Sequence, residues 1–283
     1  DLQKATYLAL QNEIAAIVYS NIKSGEIPIN DVYTALIGNS VINTEHFSKA
    51  KASDTEKNVL SVFKSRQKTT LGKIKQELTS SPEALNTMSD EVLDEFTYII
   101  SMLKDDQVLL KNEIDTSDSV YQKWKNQKIS PKEYLSYCIT QHWIDISQLN
   151  VDEKYADSTE VYDALCKYIL KNIKTDTEFS KIIYQYMITR GEISPRQLCL
   201  ILFDQGVLDY DDATVNKLKN GSLSPRDFLM KKIYNIEITP AQLALEPCTG
   251  SCVVTDEKTG EIRAMVSYPG YDSISQWHEN RKQ

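Results

Sequence analysis

Four times along this chain an apolar residue, a hydroxyl residue and a proline follow one another: Ile129-Ser130-Pro131, Ile193-Ser194-Pro195, Leu223-Ser224-Pro225 and Ile238-Thr239-Pro240. Each triplet is a helix start. The hydroxyl accepts a hydrogen bond from an otherwise orphaned N–H of the first turn, and proline's fixed φ suits the first helical position, where no N–H is needed. The apolar residue ahead can pack back as a staple. Apolar residues recur at helical spacing elsewhere too: Leu10, Ile14, Ile17, Val18 and Ile22 fall on one face of the first helix, with Gly25 at the place of a left-handed cap. A mainly α fold follows.

Ile27, Ile129 and Ile193 are each followed, fourteen to sixteen residues on, by Val41-Ile42-Asn43, Trp143-Ile144-Asp145 and Val207-Leu208-Asp209. This is one common length of helix and exit, although the first unit has Pro28 directly after Ile27 and no Ser. The starts are unevenly spaced, so a regular solenoid is not expected. The expectation is an irregular multi-helix bundle of helical hairpins. Further helices are expected over residues 55–78, 89–111, 158–173 and 177–189, the second opened by Ser89 as cap with Asp90 and Glu91 in its first turn. Residues 112–120, rich in Asp, Ser and Thr, read as a loop.

Strand chemistry is confined to the C-terminal end. Cys252-Val253-Val254-Thr255 is short and β-branched, and residues 262–267 alternate Ile, Ala and Val with Arg, Met and Ser. Residues 256–260 supply an Asp that can bond its own backbone and a Gly able to take positive φ, and Pro269-Gly270 ends the second strand. The result is one small antiparallel β-hairpin, which needs more sheet or a covering helix to be stable.

With Ser267-x-Pro269-x-Tyr271-Asp272 behind it, this hairpin resembles the opening of the transpeptidase domain of penicillin-binding proteins. The start, Asp1-Leu2-Gln3-Lys4-Ala5, is similar to the segment that opens that domain's first long helix, a near neighbour of the hairpin in the family. The resemblance covers residues 1–22 and 241–272. It implies a first domain helix at 1–23, a helical insertion at 24–240, a short helix and hairpin at 241–272, and a tail at 273–283. The tail departs from the family, which tends to continue with Pro or Asn where this chain has Ser273-Ile274-Ser275-Gln276-Trp277.

A class B, serine D,D-transpeptidase relationship implies a parent that binds peptidoglycan stem peptides and β-lactams. That parent is anchored in the cytoplasmic membrane upstream of Asp1 and works on its extracytoplasmic face in cell wall biogenesis. The insertion is then expected to contact other cell-wall synthesis or division proteins, or to position the active site. Two other readings stand beside this one: a self-standing helical interaction module, and a serine acylase.

The family's chemistry rests on Ser-x-x-Lys, Ser-x-Asn and Lys-Thr-Gly. Ser20-Lys23, Ser48-Lys51, Ser61-Lys64, Ser65-Lys68 and Ser101-Lys104 have the first spacing, but 25 Ser and 26 Lys in 283 residues produce such pairs by chance. All five precede the hairpin, whereas the family's nucleophile follows it. Ser-x-Asn is absent, and Lys258-Thr259-Gly260 falls in the hairpin turn. No catalytic residue is assigned to this chain.

No cofactor or metal site is expected either. His46, His142 and His278 show no paired ligand spacing, and no Gly-rich phosphate loop is present. Asp209-x-Asp211-Asp212 lacks the sixth-position Gly and twelfth-position Glu of a calcium loop and reads as a helix cap. Among five cysteines, Cys138, Cys166 and Cys199 sit in apolar helical stretches as core residues. Cys248 and Cys252 fit a disulfide outside the cytoplasm and also fit two reduced thiols at a strand start. A net charge of −8 argues against nucleic acid. Against that charge stands a basic patch, Lys64, Arg66, Lys68, Lys73 and Lys75, either a solvated helix face or a contact for anionic lipid headgroups or acidic wall polymers. No apolar run reaches the roughly 20 residues that span a bilayer.

Overall fold

A computed structural model describes residues 2–80, 83–151 and 156–270. The first half of the chain forms α1 (Leu2–Ser24), α2 (Ile29–Gly38), α3 (Asp54–Thr79), α4 (Asp90–Asp105), α5 (Ser119–Lys125) and α6 (Pro131–Thr140). The second half forms α7 (Ser158–Ile173), α8 (Thr177–Thr189), α9 (Pro195–Asp204), α10 (Asp212–Asn220), α11 (Pro225–Tyr234) and the short α12 (Pro240–Leu243), followed by strands β1 (Gly250–Thr255) and β2 (Ile262–Tyr268). The mainly helical bundle with one C-terminal hairpin is the expected architecture. Two compact units divide within α3, between residues 60 and 61, and within α8, between 186 and 187.

The four proline starts cap as their chemistry demands. Ser130, Ser194, Ser224 and Thr239 each accept a hydrogen bond from the backbone N–H three residues on, and the prolines occupy the first helical turn. Ser89 stands at the N-cap of α4 with extended backbone, yet its hydroxyl makes no capping bond. That helix stops at Asp105 rather than near 111, because Gln107 turns left-handed (φ 58°) and the chain bridges away through Leu109 to Ile144.

The way helices end is more regular than the way they begin. At Gly25, Ser40, Gln107, Gly191, Gly206, Gly221 and Ile236 the chain takes a left-handed conformation. Two residues later an apolar N–H (Ile27, Ile42, Leu109, Ile193, Leu208, Leu223, Ile238) returns to the carbonyl six residues back, at 2.8–3.3 Å. Such exits satisfy carbonyls that the helix leaves orphaned and seat the apolar residue against the last turn. From Gly191 to Ile236 the exits fall fifteen residues apart, as do Gly25 and Ser40. The unevenly spaced starts therefore conceal a local fifteen-residue period. The units starting at Asn43 and Asp211 lack proline, so the proline pattern alone skips them.

Ile236 is the costly member of this series, since a β-branched side chain in the left-handed region is strained (φ 61°). Ile236→Gly is expected to stabilise the fold by about 1 kcal/mol, read as a higher urea midpoint at unchanged m-value. A lower midpoint would mean that the packing of the half-buried isoleucine outweighs its strain.

In the unit holding both termini, Ile14, Ala15, Val18 and Ile22 of α1 are buried, whereas Ile17 is exposed, standing well round the helix from that stripe. In the unit of residues 61–186, the core is built from Phe96, Ile99 and Leu103 of α4, Tyr134 and Leu135 of α6, Leu165 and Ile169 of α7, and Phe179 and Ile183 of α8. Phe63 and Tyr184 stack there, ring centroids 4.2 Å apart.

Candidate functional site

The hairpin is antiparallel, with Gly250 opposite Tyr268, Cys252 opposite Val266, and a bulge where Thr255 meets Ile262. Period-two alternation puts Ala264, Val266 and Tyr268 on a buried face. That face lies on α1. Gly250 permits the approach: a Cβ there would stand 3.0 Å from Ile14 Cδ1 and 3.2 Å from Leu10 Cδ1. Tyr7 and Tyr268 rings sit 6.1 Å apart, and the Tyr7 hydroxyl accepts from the Gly270 N–H at 3.4 Å.

The edge of β2 is occupied by a side chain acting as a strand. Gln3 donates through Nε2 to the Met265 carbonyl at 2.5 Å and accepts from the Met265 N–H at 3.1 Å, completing both bonds of a ladder position. Among the described residues β1 pairs only with β2, so its other edge stays open. On the outer face Val253 and Met265 are cross-strand partners, 53% and 60% exposed, with Ile262 at 62%. An open edge beside an exposed apolar face is the usual place for another strand to add.

Lys258-Thr259-Gly260 forms the loop of this hairpin. Asp256 Oδ1 accepts from the N–H groups of Lys258 and Thr259, the Gly260 N–H bonds the Asp256 carbonyl, and Gly260 takes φ 72°. The five Ser-x-x-Lys serines are exposed, and among the described residues no hydrogen bond joins any of them to its lysine. Cys248 and Cys252 are free, half-buried thiols; burial and the neighbouring Glu246 carboxylate push the Cys248 thiol up. Burial likewise raises Cys138 to about 12 and Cys166 to about 11, so these stay protonated core residues. Asp211 caps α10 through the N–H groups of Ala213 and Thr214.

No family model, curated protein or solved structure matches the chain. Among the described residues no helix is long and apolar enough to cross a membrane, and no group of three or more His, Cys, Asp or Glu could hold a metal ion. Asp1, Tyr271, Asp272, His278 and the tail at 273–283 lie outside the described residues.

The basic patch divides. Lys64, Lys68, Lys73 and Lys75 are exposed, but Arg66 turns inward, its Nη2 donating to both Glu91 carboxylate oxygens at 3.0 and 3.2 Å. Glu91 is therefore more than a first-turn charge: it is 4% exposed and ion-paired. One turn on, Glu95 is 2% exposed. Burial pushes its carboxyl up to about 8, the Glu91 and Asp94 carboxylates adding to the rise while Lys73 and Arg66 oppose it. These acids escape a reading of α4 by end charges alone. Their spacing shows them, since Glu91, Glu95, Ile99 and Met102 share one stripe of the helix.

A third buried carboxylate lies in the other unit. Glu56, fully buried, accepts from Gln205 Nε2 at 2.7 Å and from the Ser53 N–H at 2.7 Å, and lies 2.7 Å from His46 Nδ1. Gln205 also accepts from the Asn43 N–H and donates to the Asn43 carbonyl, tying the 43–53 segment to the end of α9. Burial alone would raise the Glu56 carboxyl, but the Gln205 amide, the Ser53 N–H and His46 outweigh it and hold it below the ordinary carboxylate value.

Proposed function

We propose that this chain is the non-catalytic opening part of a class B penicillin-binding protein, a D,D-transpeptidase that cross-links peptidoglycan. Residues 24–240 are then a helical insertion between the domain's first helix and first hairpin. One observation carries the reading: the two stretches that resemble the family, far apart in sequence, pack directly on each other through Gln3 and Met265, Tyr7 and Tyr268, and Leu10, Ile14 and Gly250.

On this reading α1 covers one face of the hairpin, and the transpeptidase sheet continues from the open edge of β1. Lys258-Thr259-Gly260 serves as a loop, and the nucleophile belongs to polypeptide beyond residue 283. The insertion contacts other cell-wall synthesis or division proteins, or positions the catalytic domain, on the extracytoplasmic face of a membrane to which an upstream anchor holds the parent.

The test is fluorescent penicillin, applied to the protein expressed from its natural gene and to residues 1–283 alone. Covalent labelling is expected only in the former, mapped by peptide mass spectrometry to a serine beyond residue 283. Labelling of Ser61 or Ser65, or labelling of neither sample, sinks the reading.

A further inference from the structure

Lys64, Lys68 and Lys75 lie within about 40° of arc on α3 at 100° per residue, all exposed. Beside them α7 runs antiparallel: Gln67 Nε2 donates to the Lys174 carbonyl at 3.0 Å, and the Tyr162 hydroxyl donates to the Leu78 carbonyl at 2.7 Å. On α7 the positions of Asp163 and Lys167, with Lys174 at its C-cap still in helical conformation, form a second exposed stripe of similar width. Both stripes stand on the same side of the seam, since each lies round its helix from the seam positions (Gln67 and Leu78 on α3, Tyr162 on α7) in the direction away from the buried Phe63, Ile74, Leu165 and Ile169. The fold thus gathers five ammonium groups, over about 16 Å of α3, against the carboxylates of Asp163 and of the exposed Glu160, which lies about 20° of arc from Lys167. Arg66 and Lys73, which face the α4 carboxylates, are not part of it.

We propose that this face of α3 and α7 docks a linear, base-free phosphodiester polyanion of the poly(glycerol phosphate) kind. Lysine presents a compact point charge, without the planar fork with which arginine grips a single carboxylate, so a row of lysines suits evenly spaced phosphates on a flexible chain. A bilayer surface fits less well, because interfacial helices anchor through apolar side chains. Among the described residues the exposed large apolar side chains, from Leu2 to Met265, all belong to the other unit. With a net charge of −8 on the whole chain, the attraction is local and salt-sensitive.

Titration of the full chain with a labelled synthetic poly(glycerol phosphate), at 50 and 200 mM salt, tests the proposal. Binding is expected at the lower salt, weakening with a log–log slope near −3, about −0.7 for each phosphate neutralised. Lys64→Gln/Lys68→Gln/Lys75→Gln should lose at least tenfold in affinity and flatten the slope by about 2. The smaller change Lys167→Gln/Lys174→Gln, on the other helix, should lose severalfold, and it keeps the test decisive if the triple variant melts early. Lys217→Gln/Lys219→Gln on α10 should change nothing. The proposal is overturned by absence of binding at 50 mM salt, by equal binding of the α3 and α7 variants, by tighter binding of poly-glutamate of the same length, or by binding only to phosphatidylglycerol vesicles.

Discussion

Glu95→Gln is expected to stabilise the unit of residues 61–186 by on the order of 3 kcal/mol at pH 7. Glu95 has a raised folded-state value, about 8 against an ordinary 4.5. Its contribution is therefore fully present below about pH 4.5 and is lost as pH rises through about 8, because the folded state holds a proton that the unfolded chain has released. Glutamine matches the neutral carboxylic acid in shape and removes the linkage. Urea midpoints measured from pH 5 to 8.5 should fall steadily in the parent and stay nearly level in the variant. A variant that is no more stable at pH 8 and keeps the parent's slope would show that Glu95 ionises freely in the fold, against its 2% exposure.

The opposite sign is expected at Glu56. There Glu56→Ala removes the buried acceptor shared by Gln205, Ser53 and His46, so the part-buried Ser53 N–H loses its carboxylate and Gln205 is left with Asn43 alone. Breaking one side of such a buried network costs roughly 3 kcal/mol, enough to shift the melting midpoint by several degrees. The pH dependence is also reversed. A folded-state value below the ordinary one means the contribution is present above about pH 4.5 and is lost as pH falls through the lowered value. Hydrogen exchange should locate the loss in the 43–53 segment and the C-terminal turn of α9. Protection unchanged there would leave Glu56 a bystander.

The buried carboxylates Glu56 and Glu91 also show where sequence reading stops. Ser130, Ser194, Ser224 and Thr239 are legible as helix starts because every atom in a cap lies within a few residues. The hairpin and its loop are legible for the same reason, through Asp256 and Gly260. Glu56 depends on Gln205, far along the chain, and Arg66 on Glu91 across two helices, so local pattern treats both acids as ordinary surface charge. The fifteen-residue period falls between these cases. Its glycines at 191, 206 and 221 are visible, but Ser40 and Ile236 do the same backbone work without announcing it by residue type.

The pairing of Gln3 with Met265 sets a timetable for biosynthesis. The two residues are 262 positions apart. At translation rates of about 5–20 residues per second, roughly 13 to 50 s pass between the emergence of α1 and that of the strand it covers. During that interval Leu10, Ile14 and Tyr7 have no hairpin to lie against. Helix α1 is thus finished only by a strand made 262 residues later, and whatever shields nascent apolar surface must cover Tyr7, Leu10 and Ile14 throughout that interval.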